Sequence, residues 1–188
     1  MHGTAFSAWL LVALCAASGA YCVLRMRSSA GEERGAAGGE AAMGFGMAAM
    51  ALPATIVPPP SWAWQIYAAV FTATGLRGLW ALRRAGGGSH HPHHLVGSLA
   101  MVYMALTMAP GTGAHTGHAA HAGAGGVPLL TGVLLGYFVV FVLRSGARLV
   151  PTTAPSGAVA PAWGARPELA LACRVSMGVA MVAMLLTV

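Results

Sequence analysis

The ten arginines of this chain occur in three groups. Arg25, Arg27 and Arg34 form the first, Arg77, Arg83 and Arg84 the second, and Arg144, Arg148, Arg166 and Arg174 the third. Between the groups run apolar stretches of about twenty residues, long enough to cross a bilayer as helix. Only 7% of the residues are charged, against roughly 25% in a soluble domain. A net charge of +6 spread over one face would suit nucleic acid. Grouped at the ends of apolar runs, it marks the cytoplasmic side of a membrane protein, and no nucleic-acid partner is expected.

Six spans follow, at about 6–24, 40–57, 62–82, 94–110, 128–146 and 167–188. The outer loops, 58–61 and 111–126, hold no Arg, so both termini are expected outside a plasma membrane. Trp9, Trp62 and Trp64 then fall at the outer interface, and Trp80 and Trp163 at the inner one, as an aromatic belt. The first span lacks a basic leading end and is followed by Arg25 and Arg27, the reverse of a signal peptide. Residues 28–39 and 85–93 read as Gly/Ser/Ala-rich connectors, and 151–165 as a longer inner loop without a distinctive motif. Cys15, Cys22 and Cys173 form no CxxC and read as buried small side chains.

An eleven-residue pattern recurs on the three even-numbered spans: EAAMGFGMAAM at 40–50, HLVGSLAMVYM at 94–104 and RVSMGVAMVAM at 174–184. An ionisable residue opens each copy, Gly or Ser stands fifth, Gly or Ala seventh, and Met eighth and eleventh. Met43 and Met177 stand fourth, where the middle copy has Gly97. Offsets of 0, 3, 7 and 10 lie on one helical face. The stripes are Glu40, Met43, Met47 and Met50; His94, Met101, Met104 and Met108; and Arg174, Met177, Met181 and Met184. Nine of the eleven methionines lie on them. The expected fold is all-α, a polytopic membrane bundle of about six transmembrane helices within a single domain. It reads as three hairpin repeats about a pseudo-threefold axis lined by spans 2, 4 and 6. The small residues at the fifth and seventh positions (Gly44/Gly46, Ser98/Ala100 and Gly178/Ala180) would let those even-numbered helices approach closely.

Around such an axis Met47, Met101 and Met181 would form one ring of thioethers, and Met50, Met104 and Met184 the next. Neutral thioethers select Cu(I), and a monovalent ion is easier to bury in lipid than a divalent one. Met also fills gaps in ordinary cores, so plain packing is the competing reading. Leu, the usual choice for a packing face, is nevertheless avoided at these positions. Glu40 and Arg174 are expected either to snorkel and cap helix ends or to pair across the axis as an inner gate. His94 would then accept an ion leaving the rings. His115, His118 and His121 lie in the outer loop, with His2 on the same side, while His90, His91, His93 and His94 lie inside. The outer set is either a solvated loop or a copper-collecting one. No mid-membrane His pair suits a haem, and no P-loop, Ser/His/Asp set, HExxH or paired carboxylates indicate a nucleotide or a catalytic centre.

The Met-bearing helices MGFGMAAM and GSLAMVYM, with the Arg-rich inner loops, resemble an uncharacterised actinobacterial family of six-helix integral membrane proteins, a domain of unknown function. That resemblance implies the topology. In that family His often opens the stripe where this chain has Glu40 and Arg174, with His94 retained, so a shared three-His inner site is not implied here. The MxxxM spacing of Met43/Met47, Met104/Met108 and Met177/Met181 is similar, by analogy, to that of eukaryotic copper transporters. The functional expectation is Cu(I) binding for copper transport or homeostasis, with the bilayer and a copper donor or acceptor protein as partners. The alternative is a non-catalytic membrane structural or assembly partner whose Met stripes only pack helices.

Overall fold

A computed structural model describes residues 2–53, 58–85, 91–109, 127–148 and 166–187. All regular structure among them is helical: α1 His2–Ser28, α2 Gly31–Met50, α3 Ala63–Ala85, α4 His91–Thr107, α5 Pro128–Ala147 and α6 Pro167–Leu185. Three helices are long and apolar enough to cross a membrane, at Phe6–Ser28, Pro128–Ala147 and Glu168–Leu185. Large apolar side chains also face outward on the other three, among them Phe45, Ile66, Leu76 and Leu99.

The connector expected over 28–39 is mostly helix. Only Ser29 and Ala30 separate α1 from α2, and Gly31 takes a positive φ of 58° as the chain reverses. Glu32 and Glu33 then stand in the first turn of α2, where the helix dipole favours acidic groups. The alanines that follow are good helix formers, so nine residues of apparent linker become the N-terminal extension of α2. Likewise α4 opens at His91, with Pro92 in its first turn, where the missing N–H costs nothing. Span 2 ends as helix at Met50, short of the expected 57, and Pro53 follows.

The chain divides into two compact units, Met1–Leu52 with Gly136–Ala183, and Pro53–Leu135 with Met184–Val188. In the first unit α1 and α2 pack as a hairpin. A Cβ added at Gly44 would lie 2.9 Å from the Gly19 Cα, so the two backbones meet there. The Ser18 and Ser176 hydroxyls, 2.9 Å apart, join α1 to α6, and Tyr21 donates to the Arg166 carbonyl at 3.4 Å. A Cβ at Gly178 would lie 2.8 Å from Val142 Cγ2 of α5.

In the second unit α3 and α4 form a hairpin in which a Cβ at Gly75 would lie 3.3 Å from the Ser98 Cβ. The Tyr103 hydroxyl lies 2.7 Å from that of Thr131, tying α4 to the first turn of α5. The fifth repeat position therefore has one role throughout. Gly44, Ser98 and Gly178 each meet the odd-numbered helix that precedes them: α1, α3 and α5. At these positions the nearest neighbours lie on the preceding odd-numbered helix, so each small residue closes its own hairpin.

Candidate functional site

The charged centre of the first unit is Glu40, of which only 2% is exposed. An isolated carboxylate so buried would be strongly unfavourable, and three donors surround it. Arg25 Nη1 donates to Oε2 at 3.0 Å, Arg174 Nε to Oε1 at 2.7 Å, and the Cys22 thiol approaches Oε2 at 3.7 Å. The Arg side chains are 16% and 22% exposed against 3% for that of Glu40, so the arginines are nearer the surface than the carboxylate they contact. Charge-assisted bonds of this length offset desolvation that neither partner would tolerate alone. Among the described residues, every buried side-chain nitrogen or oxygen has a hydrogen-bond partner.

The helices position this cluster by the same periodicity on each side. On α1, Cys15, Ser18, Cys22 and Arg25 stand at offsets 0, 3, 7 and 10, and the first three are buried. That polar face meets the Glu40 face of α2 through Cys22 and Arg25, and Ser18 on it meets Ser176 of α6. Contacts of Ser18 with Ser176 and of Tyr21 with Arg166 make α6 antiparallel to α1, hence parallel to α2. The Glu40–Arg174 pair joins residues at the same repeat position, so the two Met-bearing helices lie within about one turn of matching register.

Met43, Met47, Met177 and Met181 follow on the faces that carry Glu40 and Arg174, and all four are buried, Met47 and Met181 to within 1%. Met50 is half-buried. Met101 and Met104 are buried on α4, which belongs to the second unit, and Met184 falls in the short segment assigned to that unit. Met108 is exposed. His94 is half-buried in the first turn of α4, its ring 6.3 Å from that of His93. The structure thus brings Glu40 and Arg174 together and places His94 in a different unit. His115, His118 and His121, the loop 151–165 and Trp163 lie outside the described residues.

Among the described residues, no three His, Cys, Asp or Glu side chains gather as a metal site. The three cysteines are free thiols, Cys15 and Cys22 buried and Cys173 half-buried. Arg25 and Cys22 are the site members that sequence reasoning missed. Arg25 had served only as a topology marker, although its offset from Ser18 and Cys22 repeats that of the Met stripes.

A helical chain with apolar outward faces, a buried ion cluster and Arg-bearing connections is of the membrane-protein class. Residues 32–188 match DUF5134, a domain of unknown function, and the chain belongs to that family. No curated protein and no solved structure matches it. The matched region begins inside α2, so Cys22 and Arg25 lie ahead of it.

Proposed function

We propose that this protein is a six-helix integral protein of the cell membrane, with both termini outside, that binds Cu(I) and moves or stores it. The observation that carries the reading is the alignment of α2 and α6. Two parallel helices are fastened at their first repeat position, and each then presents two buried thioethers, Met43 with Met47 and Met177 with Met181. Four neutral soft ligands suit Cu(I) and no hard cation. Thioethers four residues apart on each helix lie about 6 Å apart along the axis, a spacing for stepwise transfer between weakly binding sites. Apolar side chains facing outward on all six helices support six crossings, and the Arg positions support the orientation.

Arg25, Glu40 and Arg174 together carry one net positive charge at the inner end of the two stripes. That charge repels a cation from the Met43/Met177 level and favours the deeper pair, Met47 and Met181. The cluster acts as an inner gate in this reading. The loop histidines would collect copper outside, and donor or acceptor proteins would complete the path.

One observation favours the alternative of a membrane assembly partner. Met47 and Met181 are as deeply buried as Phe138 and Leu185, as in any packed core. Met-to-Leu exchange conserves volume and separates the two readings. Detergent-purified protein is loaded anaerobically with Cu(I), and retained copper is measured by metal mass spectrometry. The wild type is expected to keep at least one copper, and so is a variant lacking His115, His118 and His121. Met47→Leu with Met181→Leu is expected to lose it while remaining folded. Equal copper in all forms, or none in any, refutes the copper reading and leaves packing.

A further inference from the structure

We propose that Arg25 and Arg174 form a binding site for a phosphate-bearing anion at the cytoplasmic end of the first unit. The inference does not depend on copper. It begins with charge: the guanidiniums of Arg25 and Arg174 both contact one buried carboxylate, and the Cys22 thiol beside Arg25 is a neutral donor to Oε2. The two guanidiniums and the carboxylate together carry one net positive charge, on Arg side chains that are 16% and 22% exposed while that of Glu40 is 3%.

Geometry adds a second argument. Arg25 engages Glu40 through a single Nη1 contact and Arg174 through Nε alone. A guanidinium has five N–H donors in a planar fork, so neither is saturated by Glu40. In particular, the Nε contact leaves both terminal nitrogens of Arg174 for another acceptor. The two contacting nitrogens hold opposite oxygens of one carboxylate, so they lie within about 8 Å of each other. The two guanidiniums are therefore neighbours, and the several oxygens of one phosphate can accept from the remaining donors of both with charge-assisted bonds of about 2.8 Å.

The surroundings favour an anion over a further side chain of this unit. Tyr21, one turn before Arg25, reaches the backbone carbonyl of Arg166 at the N-terminus of α6, which brings a third arginine to this end of the unit. The acidic residues at that end, Glu32, Glu33 and Glu168, are exposed and stand in the first turns of α2 and α6. Arginines that meet between helices on the Arg-rich side are a setting for phospholipid headgroups. The recognised chemistry is the phosphate, carried by an anionic phospholipid or free in solution.

The test uses the full chain, delipidated in detergent. Phosphatidylglycerol, phosphatidylcholine or inorganic phosphate is added, and binding is read by native mass spectrometry. Arg25→Gln and Arg174→Gln each remove one of the two guanidiniums, and Arg27→Gln is the exposed control. Wild type and Arg27→Gln are expected to bind phosphatidylglycerol at least tenfold more tightly than the two site variants. Inorganic phosphate binding that shows the same variant pattern without lipid preference assigns the free anion as the source. Binding insensitive to Arg25 and Arg174, or absent for both phosphatidylglycerol and phosphate, overturns the site.

A measurement on the wild type keeps the test valid if a variant fails to fold. Phenylglyoxal modification is mapped by peptide mass spectrometry, with and without each additive. Protection of Arg25 and Arg174 but not Arg27 supports the site. Equal modification of all three in every condition refutes it.

Discussion

The close backbone approach of Gly44 to Gly19 gives a sharp prediction, because substitution there has a different sign from the same substitution elsewhere. Gly44→Ala would place a Cβ 2.9 Å from both the Cα and N of Gly19 and 3.1 Å from the Cys15 carbonyl oxygen. All three are backbone atoms, so no rotamer change relieves the clash and α1 and α2 must separate. Overpacking costs about 1–3 kcal/mol, and a rigid backbone neighbour puts this case at the upper end. Alanine recovers about 0.8–1.0 kcal/mol of helix propensity. The net loss is about 1–2 kcal/mol, which for a chain of this size lowers Tm by roughly 2–8 °C.

Gly136→Ala meets nothing within 4 Å. It gains the propensity with no clash, so its Tm stays level or rises. Gly178→Ala falls between, since its nearest neighbour is a side-chain atom, Val142 Cγ2 at 2.8 Å. The assay is thermal unfolding in detergent with a thiol-reactive dye. Cys15 and Cys22 are both 1% exposed and become reactive as the α1/α2 interface opens. A Gly44→Ala protein with Tm at or above that of the wild type would refute the close approach.

The ion cluster and the α1–α6 contact give two further tests. Glu40→Gln leaves two guanidiniums facing each other without a counter-charge, and the same thermal assay should show a loss of about 2–3 kcal/mol. That is below the roughly 3–5 kcal/mol for a fully buried broken pair because both arginines reach the surface. Adding Arg174→Gln to that variant should restore part of the loss, and no recovery would argue against charge as the cause. For the hydroxyl pair, a double-mutant cycle of Ser18→Ala and Ser176→Ala should give a coupling energy of about 1 kcal/mol. Additive losses would mean that the two hydroxyls do not depend on each other.

Much of the fold was legible because lipid and helix geometry leave few options. Arg groups and apolar runs located six helices, with several boundaries within three residues of those observed. The start of α2 was missed by nine residues, and the reason is physical. Glycines at 31, 35, 38 and 39 read as linker. However, the acidic first turn and the intervening alanines favour helix, and Gly38 packs beneath the Met26 sulfur, where a Cβ would lie 3.2 Å away. The meeting of Glu40 with Arg174 was one of two alternatives the sequence left open, the other being that each snorkels or caps a helix end, and the 2.7 Å contact decides for pairing. Arg25 and Cys22 were not identified, because a period of 0, 3, 7 and 10 in Cys, Ser, Cys and Arg carries no hydrophobic contrast. Periodicity searches respond to apolar stripes, and a polar stripe inside an apolar helix must be sought separately.

The repeat and the ion cluster explain each other. Three copies of a hairpin need only their fifth positions to pack, and Gly44, Ser98 and Gly178 supply that in each. Identical copies would not need different residues at the first position, yet Glu40, His94 and Arg174 differ in charge. In the first unit that difference has a use: opposite charges on α2 and α6 select each other and fix their relative register through one contact of 2.7 Å. Buried polar partners are best attested in this registry role, where net stability matters less than excluding other pairings. The thioethers above the contact then inherit their alignment from it. Charge reversal tests the direction of that dependence. Glu40→Arg with Arg174→Glu keeps the opposite charges on α2 and α6 but sets Arg25 beside a new cation. It should therefore refold less stably than wild type while keeping whatever copper the methionines hold. Loss of copper despite a folded protein would mean that register alone does not set the thioether site.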